Sequence, residues 1–543
     1  MSLPAESNKR PLHDIQDNSK SLVKAVTHFF SGTALSRLSG MARDMLMAFA
    51  FGAEPIIAAF MIAFRFSNLL RRMFGEGAMQ SAFTPLFEEI RREGFDRATH
   101  FFKELLATLT LFLLGLVVIV EAGLLIAQNI FHFSEDNLEI IKLTAVMFPG
   151  IVFICLYGLN AAFLQCQNKF FVSSAAPIAF NIIWIVAVLL FKNSPLQEAV
   201  LNLSYAVVIA YFFQWAILLP KVMPLLAKEK LQEKLKVFST EVKRLLKPLS
   251  LGIIAVSAAQ INSTVDPLFA RIADLQGPAY LWYAIRLQQL PLALLGIAFS
   301  GALLPALSRA VKSNDKKKYI ELLNYGLKKV LSLMIPITFA TFALGLSSVS
   351  FLFGRGDFTD NAIIETTYCL WGYGLGIVPM TLVLLFSSAA FANSRFAKPA
   401  KAAFLSMFLN ILLNALFVFV FKLSAVSVAI ATSLSAFFNC FLMSSSAPFK
   451  EEWRKGLGVF KTLFASLAAF LMTVFFGAFV LNEATLSLIL KDTNLILSRS
   501  FLDQAINLST LTLVYVSALI LVGKIIKAND LLALFKLGSK KRS

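Results

Sequence analysis

The sequence predicts an all-α polytopic membrane protein of about fourteen transmembrane helices, arranged as two pseudo-symmetric six-helix lobes around a central cavity plus two extra C-terminal helices. Three observations predict it. Apolar runs of helix length recur from end to end, motifs of the first half reappear in the second, and arginines sit inside runs that lipid-facing helices would keep apolar. Of the 543 residues, 57% are hydrophobic and 15% charged, and the mean hydropathy is +0.72. A soluble chain of this length would divide into several domains with a polar face on each helix, so lipid is the expected solvent.

At about 20 residues per crossing, spans are expected at 22–51, 55–87, 101–130, 138–167, 174–192, 198–220, 248–271, 279–308, 319–352, 361–392, 399–421, 424–447, 457–483 and 501–526. Pro149, Pro291, Pro336 and Pro379 fall inside these spans and are candidate bends. The opening "MSLPAESNKRPLHDIQDNSKSLVK" is polar and reads as a tail, not a removable signal.

Charge between the spans sets the orientation. Odd-to-even connections are short or acidic, as in "GAEP" at 52–55, "HFSEDNLE" at 132–139 and "GRGDFTD" at 354–360. Even-to-odd connections are basic, as in "SRAVKSNDKKK" ending at Lys318 and "NSRFAKPAK" ending at Lys401. With Lys9, Lys20 and Lys24 ahead of the first span and "KLGSKKRS" at the end, both termini are expected in the cytoplasm. The formal charge of +18 is dispersed over inside loops and tails, which matches an anionic inner leaflet and removes the need for a nucleic-acid partner.

Repetition gives the architecture. "SAFTPLF" at 81–87 recurs as "GALLPAL" at 301–307, "AAFLQCQNKF" at 161–170 as "AAFANSRF" at 389–396, and "FNIIWIVAVLLFK" at 180–192 as "LNILLNALFVFVFK" at 409–422. Offsets of roughly 220 and 230 residues make spans one to six and seven to twelve two copies inserted in the same sense, a transporter plan with rocking lobes. The division is then an N-terminal tail (1–21), an N-lobe (22–222), a basic cytoplasmic linker (223–247), a C-lobe (248–448), spans thirteen and fourteen (449–527) as an added groove, and a basic tail (528–543).

Span one carries Arg37, Arg43 and Asp44; span two carries Arg65, Arg71, Arg72 and Glu76; Asp266 lies in span seven and Arg286 in span eight. Each arginine at mid-bilayer costs about 2.5 to 3.5 kcal/mol, so these groups must face protein or water. On a regular helix Arg65, Arg72 and Glu76 share one stripe, Glu76 neutralising Arg72, while Arg71 lies about 100° away. The embedded balance is cationic, and planar guanidinium donors suit a diphosphate headgroup. Gly40, Gly75, Gly77 and Gly296 lie near these charges and are candidate kink points.

"SRLSGMARD", "FGAEPIIAAFMIAFRFSNLLRRMFGEGAMQSAFTPLF", "YAIRLQQLPLALLGIAFSGALLPALSR" and "NSRFAKP" resemble the signatures of the MurJ (MviN) lipid II flippases, within the superfamily of multidrug, oligosaccharidyl-lipid and polysaccharide exporters. The likeness covers essentially the whole chain. It implies a fourteen-helix bacterial inner-membrane protein that moves the undecaprenyl-diphosphate-linked peptidoglycan precursor, lipid II, from the cytoplasmic to the outer leaflet, with cell-wall synthesis proteins as candidate partners. The family's cavity arginines correspond to Arg37, Arg43, Arg71 and Arg286, with Asp44, Arg65, Arg72 and Glu76 as supports, and the last two helices to a groove for the lipid tail. Positions commonly acidic in the family are Ala58, Ile285 and Gln289 here, leaving a more positive cavity. Some relatives bind sodium in the second lobe; the matching residues are Asp266, Asn410, Asn414 and Thr432, and sodium is the one candidate cofactor.

Enzyme chemistry finds little footing. His13, His28, His100 and His132 have no metal-ligand spacing, Cys155, Cys166, Cys369 and Cys440 form no CxxC pair, and no P-loop is present to cradle ATP. A flippase for another lipid-linked oligosaccharide is the alternative reading, and a lipid-diphosphate phosphatase the enzymatic rival. Export of cationic drugs is disfavoured by the cavity's charge.

Overall fold

The computed structural model describes residues 19–75, 77–227, 234–445, 459–481, 484–490 and 500–535, and among them all regular structure is helical. Each of the fourteen expected spans falls on helix. The first half runs through α1 (Ser19–Phe51), α2 (Pro55–Leu69), α3 (Ala78–Arg91), α4 (Phe95–Ile130), α5 (Glu135–Met147), α6 (Ile151–Cys166), α7 (Phe170–Ala175), α8 (Pro177–Phe191), α9 (Leu196–Ala216) and α10 (Leu219–Leu226). The second runs through α11 (Thr240–Ala273), α12 (Gly277–Pro291), α13 (Ile297–Lys312), α14 (Lys316–Phe353), α15 (Asp360–Gly374), α16 (Ile377–Ala392), α17 (Ala397–Ala415) and α18 (Val426–Ser445). Then come α19 (Val459–Val480), α20 (Thr485–Ile489), α21 (Phe501–Ile525) and α22 (Asn529–Phe535).

Among the described residues ten helices are long and apolar enough to cross a membrane, or eleven counting α11, which bends by 48° between Ile254 and Val256. The expected spans outside that set are 22–51, 55–87 and 279–308. These are the segments that carry Arg37, Arg43, Arg65, Arg71, Arg72 and Arg286, and two of them are broken. The broken spans are divided into helices of 15 and 14 residues (α2, α3) and of 15 and 16 residues (α12, α13), each shorter than a single crossing needs.

The two breaks are copies of each other. α2 ends at Leu69 and α3 starts at Ala78, with a π turn at Arg71–Gly75 between them; α12 ends at Pro291 and α13 starts at Ile297, with a π turn at Leu292–Gly296. Each second segment carries an internal proline, Pro85 and Pro305, at the repeat offset of about 220 residues. A π turn widens the helix by one residue and re-aims the side chains that follow, a device common at functional sites. Gly75 and Gly296 close these turns, and Gly77, at φ +67°, takes the left-handed conformation ahead of α3. Pro149 sits in a 3-10 turn joining α5 to α6, and Pro379 follows the junction of α15 and α16, whereas Pro336 lies within an unbroken α14.

The largest core packs α2, α3, α6, α8 and α9 with Val242, Leu245, Leu249 and Ala270 of α11, the first half of α12, the C-terminal part of α14, and α15. A second joins α13, α14 and α16, and a third seats α19, α21 and α22 on α14. On the outward sides of α19, Phe460, Phe464, Phe475 and Phe479 remain exposed, as suits a lipid-facing surface. The halves also grip each other through the turn between α1 and α2. Its carbonyls accept from the second half at three points: Phe49 from the Asp357 backbone N–H at 3.0 Å, Gly52 from the Tyr283 hydroxyl at 3.3 Å, and Pro55 from Arg271 Nη1 at 2.6 Å.

Candidate functional site: an arginine-lined cavity

A cavity of about 380 Å³ opens where α1, α2, α8, α9, α11 and α12 meet, within the size range of small-molecule sites. Five arginines line it: Arg43, Arg65, Arg71, Arg72 and Arg286. Among the described residues no carboxylate is in the lining. Asp44 lies behind Arg43, 2% exposed, and holds two of the arginines.

Arg43 and Asp44 adjoin on α1. Arg43 donates from Nε and Nη2 to Asp44 Oδ1 at 3.0 and 2.7 Å and from Nη1 to Asn181 Oδ1 at 3.1 Å, and its guanidinium sits 4.6 Å from the Trp184 ring. The other carboxylate oxygen, Oδ2, is 2.8 Å from Arg286 Nε, and Arg286 stacks 4.3 Å from Trp282. One buried acid therefore bridges a first-half and a second-half arginine, and each cation also rests on an indole face. Asn181 is fixed in turn by donating from Nδ2 to Ser36 O and Ser39 Oγ at 3.1 and 2.9 Å.

Arg65, expected as a support, faces the cavity directly; it donates from Nη1 to the Ser263 carbonyl of α11 at 2.7 Å and lies 5.4 Å from Trp282. Arg71 and Arg72 project from the π turn into the same space. On a regular helix Arg72 would stand one turn from Glu76; a π turn runs through Arg71–Gly75 instead, and Glu76 itself lies outside the described residues. Arg37 is exposed on α1 and is not among the lining residues. Of the positions commonly acidic in the resembling family, Ile285 and Gln289 line the cavity, whereas Ala58 is packed fully into the core.

The second-half polar set converges as well. Asp266 on α11 accepts from Asn414 Nδ2 at 2.8 Å and from the Thr432 hydroxyl at 3.0 Å, and Asn414 donates further to Asn410 Oδ1 at 3.2 Å. Asp266, Asn410 and Asn414 are buried, and the Asn414 carbonyl oxygen has no hydrogen-bond partner. This cluster mirrors the one at Arg43. Along the repeat, Asp266 corresponds to Asp44 and Asn410 to Asn181, but Val265 stands where Arg43 does, at an offset of about 220 residues.

Sequence reasoning did not find Asn181, Trp184, Trp282, Gln260 or Ser263. Trp282 is four residues ahead of Arg286, on the same helix face, which was a usable signal. The rest are brought in by other helices.

Repeated halves, paired broken helices and a polar cavity in a bundle of apolar helices define a polytopic membrane carrier. A family profile described as "Lipid II flippase MurJ" matches residues 47–490. The chain is 32% identical over 530 residues to a "Probable lipid II flippase MurJ" of Chlamydia pneumoniae, covering 96% of this chain and 95% of that protein. It is 30% identical over 408 residues to "Lipid II flippase MurJ" of Burkholderia cenocepacia, covering 73% and 78% respectively. Among solved structures, "Lipid II flippase MurJ, inward closed conformation" superposes with a TM-score of 0.71 at 25% identity, over 92% of this chain and 99% of that one. An inward-facing multidrug resistance MATE family transporter shares the fold at TM-score 0.59 and 13% identity, over 75% of this chain and 92% of that one. The chain belongs to the lipid II flippase MurJ family.

Proposed function

We propose that this protein carries lipid II, unchanged chemically, from the cytoplasmic to the outer leaflet of the bacterial inner membrane by alternating access, with both termini in the cytoplasm. The observation that supports it best is a cavity lined by five arginines with one buried carboxylate behind them. A diphosphate replaces Asp44 as the partner of Arg43 and Arg286 and draws in Arg71, Arg72 and Arg65, through planar two-point hydrogen bonding. The polyprenyl tail stays in lipid along the exposed faces of α19 and α21. Division into lobes at 22–222 and 248–448 provides the two bodies that rock.

Arg71→Ala and Arg286→Ala are each expected to lose outer-leaflet exposure of labelled lipid II in cells that depend on this protein, at matched membrane levels, while precursor accumulates inside. Removing one charge-assisted contact weakens binding by about 1.5 to 3 kcal/mol, or roughly ten- to a hundredfold. Normal exposure in both variants would place the arginines in a structural role, and release of inorganic phosphate from the lipid would point to the phosphatase.

The Asp266 cluster fits a monovalent cation in its donor chemistry: one carboxylate, two amide oxygens and a hydroxyl, all hard oxygen ligands, with the Asn414 oxygen still available. At the equivalent place in the first half, Arg43 supplies the positive charge. Sodium in place of that guanidinium is the reading we adopt. Sodium at a hundredfold its dissociation constant is then expected to stabilise the purified protein by about 2.7 kcal/mol. Asp266→Asn should erase the sodium-dependent shift of the melting temperature, and a shift that survives the substitution would place the ion elsewhere.

A further inference from the structure

α11 lies between the two polar sites and is held on both sides. Towards the cavity, Arg65 of α2 donates to the Ser263 carbonyl at 2.7 Å, and Gln260 of α11 donates from Nε2 to the Leu69 carbonyl at 3.5 Å. These reciprocal bonds fasten the last two turns of α2 to one stretch of α11. One turn beyond Ser263, Asp266 points away into the cluster with Asn414 of α17 and Thr432 of α18. Arg65 and Asp266 lie within each other's electrostatic range, and the Nε of Arg65 is buried without a hydrogen-bond partner. It therefore has an unused donor in a cavity built for anions.

We propose that Arg65 is the positioning residue through which the anion cavity and the Asp266 cluster sense each other, by exchanging its bond to α11 for a bond to the bound diphosphate. With the cavity empty, the negative charge at Asp266 and the Ser263 carbonyl hold the guanidinium against α11. A diphosphate competes for it. Capture of Arg65 removes its donor from Ser263 and its positive charge from beside Asp266, so that a cation or proton at the cluster is favoured once the headgroup is seated. Reciprocally, neutralising Asp266 frees Arg65 for the anion, because coupling between two sites acts equally in both directions. Arg65 also lies beside the ring of Trp282 on which Arg286 stacks, so its release is felt at the second-half arginine.

This inference rests on the diphosphate reading of the cavity but not on the identity of the ion at the cluster. The test is a double-mutant cycle on the full-length protein in nanodiscs, measuring lipid II affinity for wild type, Asp266→Asn, Arg65→Gln and the double variant. In the wild-type background Asp266→Asn is expected to tighten binding fivefold or more, and in the Arg65→Gln background to change it less than twofold. Arg65→Lys, which keeps the charge and a donor, should restore part of the effect. If Arg65 were only a strut, Arg65→Gln would lower stability and affinity while leaving the effect of Asp266→Asn intact; that result overturns the proposal, as does an Asp266→Asn substitution with no effect in wild type. A wild-type protein that binds no lipid II would overturn the cavity reading and this proposal together. Absence of any sodium effect alongside a non-additive cycle removes the sodium reading and leaves the role of Arg65 standing.

Discussion

Asp44→Asn is expected to abolish transport and to lower the stability of the purified protein by about 3 to 5 kcal/mol, the cost of removing one partner from a buried ion pair. The carboxylate is almost inaccessible, accepts two hydrogen bonds from Arg43 and lies 2.8 Å from Arg286 Nε. Without it two guanidinium groups from opposite halves lose their shared counter-charge, and among the described residues Trp184, Phe180, Trp282 and Asn181 remain to receive them. Asparagine keeps the shape and one acceptor oxygen, so the lost quantity is charge. Asp44 also competes with the headgroup for those arginines. Its removal should therefore tighten lipid II binding and slow release, separating affinity from turnover in a way that simple loss of a binding residue would not. Parallel measurement of thermal unfolding, lipid II affinity and outer-leaflet exposure checks all three consequences. A variant with wild-type exposure and an unchanged melting temperature would show that the two arginines are held by something other than this acid.

The helical bundle, the internal repeat and most of the cavity's arginines were legible in the sequence because each is a property of one helix or of a repeated motif. Apolar runs reveal spans, and Arg43, Arg71 and Arg286 stand out against them. The sharing of Asp44 between Arg43 and Arg286 was not legible. Helical spacing reports neighbours three or four residues apart, whereas this contact joins α1 to α12 across the whole repeat. The spacing argument for Arg72 and Glu76 assumes an unbroken α-helix, whereas a π turn runs through Arg71–Gly75, a local change the apolar pattern does not announce, and Glu76 lies outside the described residues. Asp266, Asn410, Asn414 and Thr432 came from the resemblance, and their hydrogen bonds to one another are a tertiary fact. Arg65 was expected to support other residues because its stripe was read within α2; its bond to Ser263 depends on α11.

The other large effect is expected from a residue that carries no polar group. Gly158, on α6, packs against the π turn so closely that a Cβ there would lie 2.2 Å from the Gly75 carbonyl carbon and 2.3 Å from its oxygen, while a Cβ on Gly75 would meet the Cys155 Cα at 3.1 Å. Two glycines thus let backbone touch backbone where the helix is broken. Since the obstructing atoms are main chain, no rotamer change relieves the clash, and Gly158→Ala must push the turn away from α6. Overpacking of this kind costs about 1 to 3 kcal/mol. The functional cost should exceed the stability cost, because Arg71 and Arg72 ride on the displaced turn and a misplacement of about 1 Å can cost a hundredfold where geometry sets the rate. Gly115→Ala is the control: it lies on α4 with nothing within 4 Å of its added carbon and should leave melting and transport unchanged. Gly158→Ala is expected to reach the membrane, melt earlier and lose most lipid II exposure. Exposure at the wild-type rate would mean that the π turn can shift without carrying its arginines out of register, so that the seating of that turn on α6 is not what positions them.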